Sequence, residues 1–148
     1  MSGDLPGAVL FACSQNAIRS PMAEGLMRHF YGRKVYVQSC GVRAGELDGF
    51  VVAVMDELGI DMARHRARSF EDLDEGGFDL VISLSPEAHH KALEMTRTQA
   101  IEAEYWPTLD PSAIAGSREH ILEGYRQVRD TLLQQIRARF GTLGAGGV

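Results

Sequence analysis

Short apolar runs alternate along the chain with longer segments whose apolar residues recur at helical spacing. The runs predict strands, because strands in a covered sheet are short and nearly continuously apolar. The predicted strands cover residues 8–12, 35–39, 78–84 and 101–105. The last of them is the weakest, since Glu102 and Glu104 interrupt its apolar pattern.

The helical segments have recognisable starts and ends. The first begins at Ser20, carries Pro21 in its first turn and stops before Gly32, as helix boundary preferences suggest. The others are predicted over 50–58, from about Pro86, and over 121–140, where apolar residues keep a helical period for several turns.

This alternation of strands and helices predicts an α/β fold. We expect a three-layer, doubly wound, four-stranded parallel sheet with helices on both faces. One domain is predicted over residues 1–140, followed by a flexible glycine-rich tail over 141–148. Ligands of such sheets bind beyond the carboxyl ends of the strands, and Cys13 follows the first predicted strand.

Composition narrows the possible partners. The chain has 148 residues and a net charge of -5, which gives no electrostatic basis for binding nucleic acid. We expect no membrane partner, since no apolar run is long enough to span a bilayer and the first residues do not resemble a signal peptide. Two cysteines suit a reducing compartment, so we expect a cytoplasmic protein. We also expect a monomer or weak dimer.

The segment from Cys13 to Ser20 carries the candidate chemistry. It joins a strand to a helix and places Arg19 six positions after Cys13. A compact loop of this kind can turn successive N–H groups toward an anion, and the following helix adds its own unpaired N–H groups. An arginine fork matches two oxygens of a tetrahedral oxyanion, and the same field would stabilise a thiolate. The competing interpretation is a buried cysteine that acts only as a small apolar residue.

Further motifs follow this loop in order along nearly the whole chain. They are Val9-Leu10-Phe11-Ala12-Cys13, Asn16, Arg19-Ser20-Pro21-Met22-Ala23-Glu24-Gly25, Ser39-Cys40-Gly41, Gly59-Ile60, His65-Arg66-Ala67-Arg68 and Asp110-Pro111. With these motifs the sequence resembles the low-molecular-weight protein tyrosine phosphatase family, which shares its fold with thioredoxin-coupled arsenate reductases.

The resemblance implies a two-step displacement without metal or cofactor. Cys13 would attack phosphorus, Arg19 would bind the phosphate oxygens, and Asp110 would act as general acid and then general base. The resemblance also implies a left-handed backbone at Asn16. The remaining implied residues are the phosphate-binding loop, Ser14, Gln15, Asn16, Ala17, Ile18 and Ser20, with Ser20 bonded to the thiolate, and Ser39 and His65, which would brace Asn16 from behind.

The sequence departs from the family pattern at several positions. Gln15 stands where phosphatases usually have glycine, which would cause strain if that position needed a positive φ. Ile18 stands where many relatives have a second loop cysteine. Ser112 and Ala113 replace the aromatic residues that wall a phosphotyrosine ring, and Phe50 could supply such a wall or belong to the core.

Three functions remain open at this point. The first is hydrolysis of phosphate monoesters, with protein phosphotyrosine as the expected substrate and a small phosphate ester or oxyanion as the alternative. The second is arsenate reduction with an external small thiol or glutaredoxin, because residues 83–88 lack the cysteines of a thioredoxin-coupled relay. The third is a non-catalytic phosphate-binding module, which would need neither Cys13 nor Asp110.

Overall fold

The computed structural model describes residues 5–73 and 77–141. Four strands alternate with four helices: β1 Ala8–Cys13, α1 Arg19–Tyr31, β2 Tyr36–Gly41, α2 Gly49–Asp56, β3 Leu80–Ser83, α3 Pro86–Met95, β4 Glu102–Tyr105 and α4 Arg118–Phe140. Two short 3-10 helices, Phe70–Asp72 and Pro111–Ala113, lie in the connections. The predicted glycine-rich tail lies outside the described residues, apart from Gly141.

The strands form one parallel sheet in the order β2-β1-β3-β4. The order reverses at β1, because β2 pairs on one side of it and β3 on the other. Cys13 at the end of β1 pairs in register with Gly41 at the end of β2. The doubly wound parallel sheet predicted from the sequence is confirmed, and Cys13 lies at its switch point.

Side chains of β1 alternate between two cores, as the period of a strand requires. Val9 and Phe11 pack with residues of α1, α2 and α4, whereas Leu10 and Ala12 pack with Ala88 and other residues of the α3 face. Both faces of the sheet are therefore covered by helices, which confirms the three-layer arrangement. The near-continuous apolar sequence of β1 follows from this double burial.

Element boundaries differ from the predicted ones for local reasons. β4 is an edge strand with no fully buried residue, so its position accommodates Glu102 and Glu104. The last helix starts three residues before the apolar period, because the Ser117 hydroxyl accepts a hydrogen bond from the His120 amide at 3.1 Å and caps it. Within the described ranges, no helix has both the length and the apolarity needed to cross a membrane.

Candidate active site

A cleft of ≈ 240 Å³ opens at the carboxyl ends of the strands. Its lining includes three side chains that the sequence predicted to act together, Cys13, Arg19 and Asp110. The other lining residues are Ser14, Gln15, Ala17, Ile18, Glu46, Asp48 and Ser112. Asn16 and Ser20 are fully buried behind this surface.

The loop between β1 and α1 is held by its carbonyl oxygens. Backbone amides of a second segment, residues 42–48, donate to four of them: Val42 to Cys13 at 3.0 Å, Arg43 to Ser14 at 2.8 Å, Gly45 to Gln15 at 2.8 Å and Asp48 to Ala17 at 3.1 Å. We call residues 42–48 the clamp segment. Because the C=O and N–H of a trans peptide point in opposite directions, this clamp turns the loop amides toward the other side. Such a loop can present N–H groups to an oxyanion.

The left-handed position of the loop is Asn16, with φ of 53°. It is the one non-glycine residue with a positive φ in the described part of the chain, and asparagine tolerates that conformation better than most residues. Gln15 does not have a positive φ, so the glycine-to-glutamine departure causes no backbone strain. Its side chain lies instead against Gly45 of the clamp segment.

Gly41 allows the loop and the clamp segment to approach closely. A Cβ at this position would lie 2.5 Å from the Arg43 carbonyl oxygen and 2.6 Å from the Asn16 nitrogen. Both neighbours are backbone atoms, so a larger residue would have to displace the loop itself.

A chain of buried hydrogen bonds leads from Cys13 into the protein. Cys13 is 2% exposed, and its sulfur lies 3.0 Å from the Ser20 hydroxyl oxygen. The Asn16 amide donates to Ser20 and to Ser39, both at 2.9 Å. Because Asn16 occupies an acceptor site of Ser20, the Ser20 proton is free to point at the Cys13 sulfur or at a backbone carbonyl. Ser39 in turn donates to the buried carboxylate of Glu24.

Glu24 is the centre of the support behind Asn16. Its carboxylate also accepts from Arg28 and lies 3.7 Å from Nδ1 of His65. Burial lowers the pKa of His65 from its ordinary value, although the nearby charge of Glu24 acts in the opposite direction. The structure therefore places Ser39 against the Asn16 side chain and links His65 to it through Glu24.

The N-terminus of α1 differs from those of the other helices. Asp48, Ser85 and Ser117 cap α2, α3 and α4 with a side chain that accepts from a backbone amide. Ile18 at the start of α1 provides no such bond, and no acidic residue lies in the first turn of that helix. The first amides of α1 are thus left for an anion in the loop, to which the positive end of the helix dipole adds.

Arg19 connects the loop to the segment that carries the candidate acid. Its Nη1 donates to the Thr108 carbonyl at 3.1 Å, and its Nη2 lies 3.9 Å from the Asp110 carboxylate. Partial burial acts to raise the pKa of Asp110, but hydrogen bonding to Ser112 and the charge of Arg19 outweigh it and lower the pKa. The Ser112 amide donates to Asp110 at 2.9 Å. Asp110 itself is half exposed at the mouth of the cleft.

The second cysteine faces away from the first. Cys40 pairs in register with Ala12 and belongs to the core on the α3 face, whereas Cys13 belongs to the opposite core. Cys40 is fully buried, and burial raises the pKa of its thiol well above the ordinary value. The two side chains therefore point to opposite faces of the sheet, a geometry that does not suit a disulfide between them.

Comparison with known proteins agrees with this geometry. The model of the family described as low molecular weight phosphotyrosine protein phosphatase matches residues 8–145. The chain belongs to this family. In the described part of this phosphatase-family chain, no three His, Cys, Asp or Glu side chains are grouped to hold a metal ion.

Similar proteins within the family have different named activities. An arsenate reductase of Bacillus licheniformis is 32% identical over 136 residues, which cover 92% of this chain and 96% of that protein. A glutaredoxin arsenate reductase of a Synechocystis strain is 29% identical over 128 residues, covering 86% of this chain and 92% of the relative. The solved structure of the YwlE arginine phosphatase from Geobacillus stearothermophilus has a TM-score of 0.72 and 25% identity, covering 95% of both chains.

Some residues that build the site were not assigned roles from the sequence. Glu24 belongs to one of the motifs that match the family, but no role was predicted for it. A glutamate among the apolar positions of a helix face is the sequence feature that indicates a buried carboxylate. Asp48, which caps α2 and also accepts from the Tyr125 hydroxyl at 2.9 Å, had no such signal. Thr108 contributes a backbone carbonyl, which no side-chain motif can report.

Proposed function

We propose that this chain is a phosphatase that forms a phosphocysteine on Cys13. The observation that carries the proposal is the position of the Cys13 sulfur inside a clamped anion loop, with Arg19 and Asp110 on the same cleft. A cysteine that served only the core would need neither of these charged partners. Their joint presence also disfavours a non-catalytic phosphate-binding module.

In the first step the Cys13 thiolate attacks phosphorus and the ester oxygen leaves. Arg19 and the loop amides stabilise the charge on the equatorial oxygens, and Asp110 donates its proton to the leaving oxygen. In the second step Asp110 accepts a proton from a water molecule that attacks the phosphocysteine, which releases phosphate and restores the thiolate. Ser20 supports the thiolate in both steps through its hydroxyl.

Protein phosphotyrosine is the substrate that the family description suggests, and the lining of the cleft modifies this expectation. The lining contains the carboxylates Glu46, Asp48 and Asp110 and, among the described residues, no aromatic side chain. Phe50 lies outside it, with its ring 5.3 Å from that of Tyr125. An acidic cleft without an aromatic wall also suits a cationic leaving group, and phosphoarginine is therefore the second substrate to test.

Arsenate reduction is the second candidate function, supported by the names of the similar proteins. Cys13 would attack arsenic and release water, and an external thiol would then attack the Cys13 sulfur. That step forms a mixed disulfide and releases arsenite, and a second thiol reduces the disulfide. Both thiols must come from outside, because Cys40 is the only other cysteine of the chain and faces the opposite core.

A side-by-side assay separates these functions. The protein is offered a phosphotyrosine peptide, a phosphoarginine peptide, and arsenate with glutaredoxin or small thiols. We expect release of phosphate from at least one phosphopeptide, complete loss of it in Cys13→Ser, and retention of it in the matched variant Cys40→Ser. Turnover of arsenate without turnover of any phosphate compound would instead establish the reductase.

A further inference from the structure

A second groove, of about 500 Å³, lies behind the catalytic loop. It is formed by one side of α1, by Gln38 of β2 and by residues 59–68, and it shares no lining residue with the catalytic cleft. We call it the basic groove because of its charged lining residues, which are Arg28, Arg64, Arg66 and Arg68, with only Glu24 and Asp61 as carboxylates.

Three of these arginines have no ion-pair partner among the described carboxylates. Arg66 bonds to the carbonyl of the preceding residue, and Arg68 bonds to the neutral side chain of Gln38. None of the described carboxylates forms an ion pair with Arg64, Arg66 or Arg68. Such a concentration of positive charge is unusual in a chain whose net charge is -5.

The charge of these arginines indicates what the groove can bind. Arg64, Arg66 and Arg68 all line the groove, and His65 lines it between the first two. A guanidinium fork matches the two oxygens of a carboxylate. We propose that the basic groove binds an acidic segment of a partner polypeptide.

The groove is connected to the catalytic loop from behind. The Arg68 amide donates to the Asn16 side-chain oxygen at 3.0 Å, and the Arg68 carbonyl accepts from the Gly41 amide at 2.8 Å. His65 and Glu24, which line the groove, lead to Asn16 through Ser39. Binding in the groove is therefore expected to alter oxyanion binding at the loop, and by linkage the reverse also holds. The proposal does not depend on which reaction Cys13 performs.

The test measures binding of a fluorescent peptide in which glutamate alternates with serine, by anisotropy, to the whole protein saturated with orthovanadate. Orthovanadate fills the catalytic loop, so the peptide can bind only elsewhere. The variant Arg64→Ala/Arg66→Ala should bind the peptide about fivefold more weakly, because it loses two exposed ion pairs. The matched control Lys34→Ala/Arg97→Ala removes the same charge from exposed positions outside the groove and should bind as the wild type does.

Three results would overturn the proposal. One is equal weakening in both double variants, which would indicate only nonspecific attraction. Another is equal binding of a peptide with glutamine in place of glutamate. The third is peptide binding that keeps weakening without limit as the orthovanadate concentration is raised, because competition for the catalytic cleft does not level off, whereas coupling between two separate sites reaches a plateau. Circular dichroism spectra and melting temperatures of both double variants confirm that each remains folded.

Discussion

The guanidinium of Arg19 lies 3.9 Å from the carboxylate of Asp110 and, through its other nitrogen, bonds the Thr108 carbonyl at 3.1 Å. The residue proposed to bind the oxyanion therefore also holds the segment that carries the proposed acid. An arginine fork can do both because its donors point in different directions. The proposed oxyanion binding and the proposed proton transfer would thus depend on one side chain.

Asp110→Asn is expected to slow turnover most for esters with poor leaving groups. The phenolate of phenyl phosphate is a poor leaving group and needs a proton on its departing oxygen. The 4-nitrophenolate of 4-nitrophenyl phosphate leaves readily without one. The first should lose about 10²–10³ in rate and the second much less, as is typical for the removal of a general acid. The control Glu46→Gln removes another carboxylate from the same cleft. Equal losses for both esters in Asp110→Asn would contradict the acid role.

The lowered pKa of Asp110 predicts a pH dependence. A general acid must carry its proton, and the protonated fraction of Asp110 in the free protein falls as pH rises through its pKa. Once substrate ionisation is corrected for, kcat/KM for phenyl phosphate should fall by up to about tenfold per pH unit above that pKa. Asp110→Asn should abolish this decrease of kcat/KM with rising pH, and Glu46→Gln should retain it. The same decrease in Asp110→Asn would assign the proton to another group.

Ser20→Ala should make Cys13 less reactive at neutral pH, because the mutation removes the hydroxyl that lies 3.0 Å from the sulfur. A hydrogen bond to a charged group contributes about 1.5 kcal/mol, so the rate of alkylation by iodoacetamide at neutral pH should fall by about tenfold. Ser14→Ala is the matched control, since the Ser14 hydroxyl bonds to Ser85 instead. If both variants lower the alkylation rate equally, the Ser20 contact has no special role.

Two glycine variants test how closely the clamp segment must approach the loop. Gly41→Ala would bring a Cβ within 2.5–2.7 Å of backbone atoms of the loop and the clamp segment, and should cost about 1–3 kcal/mol in the free energy of unfolding. Gly49→Ala, where a Cβ would meet nothing within 4 Å, should stay within about 0.5 kcal/mol of the wild type. Urea unfolding measures both. A comparable decrease in the free energy of unfolding in both variants would show that the close contacts around Gly41 do not restrict the residue at that position.

Much of the fold could be predicted because it depends on periodic burial. The apolar side chains of β1 face two cores in alternation, and those of α4 recur at helical spacing on its buried face. Both patterns follow directly from which side chains face a core. The edge position of β4 was harder, since a half-exposed strand with Glu102 and Glu104 leaves only a weak pattern.

The parts of the site formed by side chains could be predicted from the sequence, and the parts formed by the backbone could not. Cys13, Arg19 and Asn16 are recognisable from their residue types. The clamp segment instead acts through amide-to-carbonyl hydrogen bonds that almost any residue types could make. Whether Gln15 would be strained could not be decided from the sequence, and in the structure the positive φ falls on the next residue, Asn16. A loop's dihedral pattern depends on the bonds around it, and those partners are distant in sequence.

The central claim is that the Cys13 sulfur becomes covalently bound to phosphorus, and trapping that intermediate tests it most directly. The Asp110→Asn protein is mixed with 4-nitrophenyl phosphate, quenched in acid and analysed by intact and peptide mass spectrometry. The slowed second step should leave one phosphoryl group on the peptide that contains Cys13, and none in Cys13→Ser/Asp110→Asn. Steady turnover with no phosphorylated Cys13 peptide, or a phosphoryl group on another residue, would contradict the account.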